Sequence, residues 1–257
     1  MVQRNLEKAT NGLNTAIEQM TTGYKLNRAK DNPANYAMMK NMETKLRAWN
    51  VATDNISIGH DMLETADSNA ELVGNHLIRI RDLCQQAANG TYGEQSVKAI
   101  EAEIQARKDE IKRIMENAEF NDIKLFGSAS SSINIQVGIT GEDSSRISVD
   151  TSLNLNSLDD IDNWDITNAD CLGEIDTMLN EVSSYQVKIG ASQNRLECAL
   201  ELADININNL TSSISTIRDV DIAKASSDLI KYQILQQACI TLLSTANQMP
   251  SMALQLI

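Results

Sequence analysis

Residues Ile56–Ala87 read ISIGHDMLETADSNAELVGNHLIRIRDLCQQA. Alternating steps of three and four from Ile56 reach Gly59, Leu63, Ala66, Ala70, Val73, Leu77, Ile80, Cys84 and Ala87, and every position is apolar or small. This is the a/d spacing of a coiled-coil seam held over successive heptads. Followed backwards, the row takes in Ala52, Trp49, Met42 and Met38, with Lys45 as its polar exception. Pro33 breaks the chain before this row, and Asn89-Gly90-Thr91-Tyr92-Gly93 supplies turn residues at the other end. The spacing predicts one helix from about Pro33 to Ala88, roughly 80 Å long at about 1.5 Å per residue.

Outward from that helix the pattern repeats. Leu6, Leu13, Ile17, Met20 and Tyr24 form a shorter seam, and Thr21–Asn35 breaks it with Gly23 and Pro33. A third helix carries Val97, Ile100, Ile104, Ile111, Ile114 and Ala118, with Arg107 interrupting the row. The period then changes to two. Ile133, Ile135, Val137 and Ile139 alternate with small or polar residues, Gly141 offers a turn, and Ile147 and Val149 alternate again. This predicts a β-hairpin near 133–149. Residues Asp150–Asp170 are acidic and Asn-rich and read as a loop. A last long seam runs Ile175, Leu179, Val182, Gln186, Ile189, Gln193, Leu196, Leu200, Ala203, Ile207, Leu210, Ile214 and Ile217. Gln186 and Gln193 are its polar members, either tolerated or used to select register. After Asp219 the row resumes through Leu229, Ile234, Ala238, Leu242 and Ala246. The expected fold is mainly α, a long coiled-coil helical rod built from both chain ends with a small β-hairpin region.

Composition narrows the function. Aromatics make up only 4 % of the 257 residues, and the two prolines are Pro33 and Pro250. Long helices with thin apolar seams suit such a mix. The net charge of −13 repels nucleic acid and anionic lipid. No apolar run approaches the roughly 20 residues that a membrane span needs, so no membrane insertion is expected. The first residues, MVQRNLEKAT, hold no apolar signal-peptide core. Cys84, Cys171, Cys198 and Cys239 form no CxxC pair or zinc spacing. His60 and His76 lie too far apart on the long helix to act together, and no nucleotide, hydrolase or metalloprotease motif occurs. Glu103–Arg107 and Asp109–Arg113 fit helical i,i+4 ion pairs. Asn55, Asn89 and Asn209 head Asn-x-Ser/Thr triplets, which arise often by chance. The chain is expected to be no enzyme and to need no cofactor. Apolar seams on both terminal segments call for neighbours, and repeated contacts between identical subunits generate open helical filaments.

Several stretches together resemble bacterial flagellin. Met20–Lys30 (MTTGYKLNRAK) resembles the family's LSSGxRINxAxDDAAG, and Asp54–Ala66 (DNISIGHDMLETA) resembles NxxDGISxxQTAEGAL. Leu77–Thr91 (LIRIRDLCQQAANGT) resembles LQRxRELAVQAANGT. Ile100–Phe126 resembles the third helix with its FNGxKLL ending, and Ile133–Gly138 (INIQVG) the hairpin. Gly190–Leu196 (GASQNRL) resembles GAxQNRL, while Ile217–Ala223 and Gln233–Pro250 resemble the tail.

The resemblance implies a filament subunit that polymerises through its terminal helices. Residues 1–32 with 219–257 would form the inner tube, and 33–218 a helical domain with the hairpin. The short span from Val149 to Cys171 leaves no room for the family's variable outer domains, which implies a minimal, core-only form. Leu6, Leu13, Ile17, Met20, Leu229, Ile234, Leu235, Leu242 and Leu243 are the expected subunit-assembly residues. The implied partners are further copies of the chain, an export chaperone on the C-terminal tail, filament cap and junction proteins, and Toll-like receptor 5 of an animal host. For that receptor the resemblance points to Arg79, Leu83, Gln86 and Glu103. The implied location is the extracellular flagellum, reached through the flagellar type III channel without a cleaved signal peptide. Three features depart from the family pattern. The chain enters the pattern late, with Val2-Gln3-Arg4-Asn5-Leu6 almost at once, Asp31-Asn32-Pro33-Ala34-Asn35 replaces DDAAG, and four cysteines occur. A hook-associated junction protein is the alternative, and a cytoplasmic coiled-coil adaptor a more distant one.

Overall fold

The computed structural model describes residues 1–126, 132–153, 155, 158 and 170–255, with the backbone alone described at 170 and 249–255. The chain is mainly α. Its helices are α1 (Val2–Thr22), α2 (Pro33–Ala87), α3 (Glu94–Asn117), α4 (Asp170–Arg218) and α5 (Ile222–Gln255). Four short strands lie between α3 and α4: β1 (Glu119–Phe120), β2 (Ile123–Lys124), β3 (Ile133–Gln136) and β4 (Arg146–Val149). The loop expected over 150–170 falls mostly outside the described residues. Two compact units are formed, one from Met1–Arg47 with Asn206–Ile257 and the other from Ala48–Ile205.

Local chemistry sets the helix ends of the first unit. Gly23 closes α1 in the left-handed region at φ 74°, which costs a residue without a Cβ nothing. The Asn32 side-chain oxygen accepts a hydrogen bond from the Asn35 amide, and Pro33 occupies the first helical position, where its missing N–H is no loss. The departure from DDAAG is thus a capped helix start. The Asp221 carboxylate accepts from the amides of Ala223 and Lys224 and starts α5 in the same way. Between these ends, the Arg218 carbonyl accepts from the Lys25 and Leu26 amides, and the Gly23 carbonyl from Val220. Leu26, Met39 and Ile214 are buried together beside this crossing, with Tyr36, Met42, Leu46 and Ile217 against them.

The second unit holds the larger core. Every seam position from Ile56 to Ala87 is buried, including Gly59. On α4, Ile175, Val182, Ile189, Leu196 and Ala203 are buried, and the polar seam member Gln186 donates across to Asp67 Oδ1 at 3.4 Å. On α3 the buried row is Ile100, Ile104, Lys108, Ile111 and Ile114. The interruption is therefore accommodated by Lys108, a step of four from Ile104, whereas Arg107 stays half-buried and binds Glu103 at 3.2 Å. The expected Asp109–Arg113 pair is replaced by Arg113 with Glu110, because spacings of three and four both bring side chains together.

Strands β3 and β4 pair antiparallel with Ile133 opposite Val149 and Ile135 opposite Ile147. Ile135, Ile147 and Val149 turn inward. The strand stops at Gln136, short of the alternation expected through Ile139, because the Val137 and Gly138 amides both turn to the Ser145 carbonyl. Gly59 of α2 seats this hairpin: a Cβ there would lie 2.7 Å from Ile135 Cδ1. A second hairpin, β1 with β2, turns through Asn121 and Asp122, both at positive φ (49° and 64°). Asn and Asp tolerate that region, and the primed turn it makes matches strand twist. The resemblance places that stretch at the ending of the third helix, whereas α3 stops at Asn117 and the chain turns into this hairpin.

Candidate assembly surface

The interface between α1 and α5 is built from small residues. Ala9 and Ala16 on α1 are each 3 % exposed, and Ala225 and Cys239 on α5 are also buried. Gly12 faces the Tyr232 ring so closely that a Cβ would sit 2.6 Å from two ring carbons. Gln236 Nε2 donates to Thr10 Oγ1 at 3.2 Å and adds a polar contact to the same seam. Ala225, Tyr232 and Cys239 recur every seven residues, one face of a helix in coiled-coil spacing.

With the small residues turned inward, the large apolar ones face out. Among the expected assembly residues, Ile17, Met20, Ile234, Leu235 and Leu242 are exposed, with Ile234 at 63 % and Leu242 at 57 %. Leu6, Leu13, Leu229 and Leu243 are half-buried. Ile222, Ile230 and Ile240 add to the exposed set on α5. The large residues were legible in sequence. The alanine and glycine seam was missed, although its i,i+3 and i,i+7 spacing from Ala9 through Gly12 to Ala16 was there to be read.

The positions expected from the resemblance to meet a receptor, Arg79, Leu83, Gln86 and Glu103, lie in the other unit. Arg79 Nε reaches Glu103 Oε1 at 3.1 Å, joining α2 to α3. The hydrogen bond from Arg79, with a further one from Arg107, holds the Glu103 carboxyl below the usual range. Gln86 is exposed and donates to the Tyr92 hydroxyl at 2.7 Å. Leu83 is only 2 % exposed and belongs to the core. The structure thus presents Arg79, Gln86 and the edge of Glu103 to solvent, and turns Leu83 inward.

Other chemistry is sparse. His60, Asp61 and Glu64 bring ligand atoms within 4.8 Å of one another, but all are exposed and solvated. His76 is half-buried and lies 3.3 Å from Arg107 Nη1 through its Nδ1. Among the described residues no helix is long and apolar enough to cross a membrane.

Residues 1–131 match the bacterial flagellin N-terminal helical region, and residues 172–257 match the bacterial flagellin C-terminal helical region. The chain belongs to the bacterial flagellin family. It is 34 % identical to a flagellin of Halalkalibacterium halodurans across 99 % of this chain and 95 % of that one. It is 30 % identical to a flagellar filament core protein of Brachyspira hyodysenteriae, again across 99 % and 95 %. A putative flagellar hook-associated protein from Vibrio parahaemolyticus has a similar structure (TM-score 0.53, 17 % identity, 79 % of this chain and 100 % of that one). The last likeness is one of fold alone. This flagellin is short, with the two matched helical regions separated by only 40 residues, 132–171. It is a structural protein and not an enzyme.

Proposed function

We propose that this flagellin is a structural subunit of the bacterial flagellar filament, outside the cell, and that it polymerises through its terminal helices. The outward row of large apolar side chains on α1 and α5 carries this reading. A monomer gains nothing from leaving Ile234 and Leu242 in water, whereas burying the exposed part of each against a neighbour contributes on the order of 1 kcal/mol. Residues 1–32 with 219–257 would form the inner tube, and 33–218 the layer around it. Flagellin relatives across nearly the whole chain favour the filament over a junction role, which rests on fold likeness alone.

Transport through the flagellar export channel, with a chaperone on the C-terminal tail and then the cap and junction proteins as neighbours, completes this reading. In an animal host, Toll-like receptor 5 would meet Arg79, Gln86 and Glu103 on dissociated subunits, and Leu83 only after local rearrangement.

The test is electron microscopy of acid-dissociated protein returned to neutral pH with filament seeds. Long uniform tubes are expected. The Ile234→Asp/Leu242→Asp variant should keep its helical circular dichroism and lose tube formation. Tubes of normal yield from that variant would remove these positions from the interface, and persistent monomer from the parent chain would remove self-polymerisation.

A further inference from the structure

Two of the four cysteines meet inside the second unit. Cys84, near the end of α2, is 0 % exposed, and Cys171, at the start of α4, is 3 % exposed. Both belong to the large apolar core, and the Arg81–Asp176 ion pair, 2.6 Å from Nε to Oδ1, ties the same end of α2 to the first turns of α4. Cys198 offers no competing partner for Cys171. It lies on the same helix 27 residues further on, roughly 40 Å away at about 1.5 Å per residue. It is also exposed, unlike the pair.

We propose that Cys84 and Cys171 are an oxidisable pair that forms a disulfide joining the end of α2 to the start of α4. A small-molecule disulfide serves as oxidant. The thiolate of one cysteine attacks it, forms a mixed disulfide and releases one thiol. The second cysteine sulfur then attacks the protein-side sulfur, forms the Sγ–Sγ bond and expels the second thiol. Two protein thiols and one disulfide become one protein disulfide and two small thiols, and the two thiol protons pass to the departing thiolates.

Burial, and next the neighbouring Cys171, pushes the Cys84 thiol up to about 12, so its thiolate is scarce at neutral pH. The folded, reduced protein should therefore react slowly, and the bond should form readily while the chain folds under oxidising conditions. Once formed, it closes α3 and both hairpins into one long covalent loop, the arrangement in which a crosslink constrains the unfolded chain most. Its occurrence in the filament rests on the extracellular reading above, whereas the test below does not.

The experiment is refolding of the full chain from denaturant in a buffer of reduced and oxidised glutathione, followed by peptide mapping without reductant. A Cys198→Ser/Cys239→Ala background removes the other thiols. The expected product is a linked peptide containing Cys84 and Cys171. Its unfolding temperature should be higher by on the order of 10 °C, with the rise reversed by dithiothreitol and absent from Cys171→Ala. Free thiols at both positions, glutathione adducts without the link, or a linked protein less stable than the reduced one would each overturn the proposal. If the background variant fails to fold, mapping the parent chain decides the same question, because the linked peptide is identified by mass.

Discussion

Replacing Gly59 by alanine sets two effects of known size against each other. Gly59 lies in the interior of α2, where alanine is favoured over glycine by about 1 kcal/mol through backbone entropy. The new Cβ would meet Ile135 Cδ1 at 2.7 Å, Cγ2 at 3.2 Å and Cγ1 at 3.3 Å. Two of those atoms are attached directly to Cβ of a β-branched residue, so they cannot swing aside without shifting β3. Ile135 is itself buried, opposite Ile147 in the hairpin. Overpacking of this kind costs about 1–3 kcal/mol. The net expectation is a loss of about 1 kcal/mol, or roughly 2–4 °C in unfolding temperature for a unit of this size. Thermal unfolding followed by circular dichroism, with hydrogen exchange at the Ile133–Gln136 amides as a local probe, gives the value. The double variant decides the cause. Ile135→Val removes the closest atom and should cost about 1 kcal/mol in the parent chain but close to nothing in the Gly59→Ala background. A Gly59→Ala protein more stable than its parent, or strictly additive effects in the two backgrounds, would refute the close approach of α2 and β3.

Other substitutions probe the polar groups of the same core. Burial raises the ordinary thiol value of Cys84 from 9.0 to about 12, so its protonated form is favoured in the folded state and stability should fall as pH rises from about 9 to about 12. Cys84→Ala should flatten that alkaline slope in denaturant titrations. Tyr185 packs edge-on against Phe126, and its buried hydroxyl has no hydrogen-bond partner among the described residues. Its ionisation is suppressed by burial and then by the charges of Asp67 and Asp150. Tyr185→Phe should therefore stabilise the protein by about 1 kcal/mol in chemical denaturation and also weaken the alkaline sensitivity. Gln186→Leu removes a long hydrogen bond to the half-buried Asp67 and extends the apolar row of α4. A higher unfolding temperature is expected, and a second species in analytical ultracentrifugation would identify Gln186 as the residue that selects register.

The largest core could be read from one dimension because its rule is local. A strict alternation of three and four places Ile56 through Ala87 on one stripe of one helix, whatever covers it, and all of that stripe is buried. The breaks at Gly23 and Pro33, which set the end of α1 and the start of α2, were equally local. The pairing of α1 with α5 was not, because either of two faces could have been covered. Large residues advertise the stronger hydrophobic stripe, which in the sequence runs through Leu6, Leu13 and Ile17. The partner helix settled instead on Ala9, Gly12 and Ala16, where Tyr232 can approach a residue with no side chain, and this choice turned Ile17 and Met20 to the outside. The positions proposed to meet a receptor show the same dependence, since only packing turns Leu83 inward while Arg79 and Gln86 stay in water. Cys84 and Cys171 lie far apart in the chain and carry no spacing that links them. They come together because α4 lays its first turns against the end of α2, where Arg81 binds Asp176, and a contact between distant residues is a property of the packed chain alone.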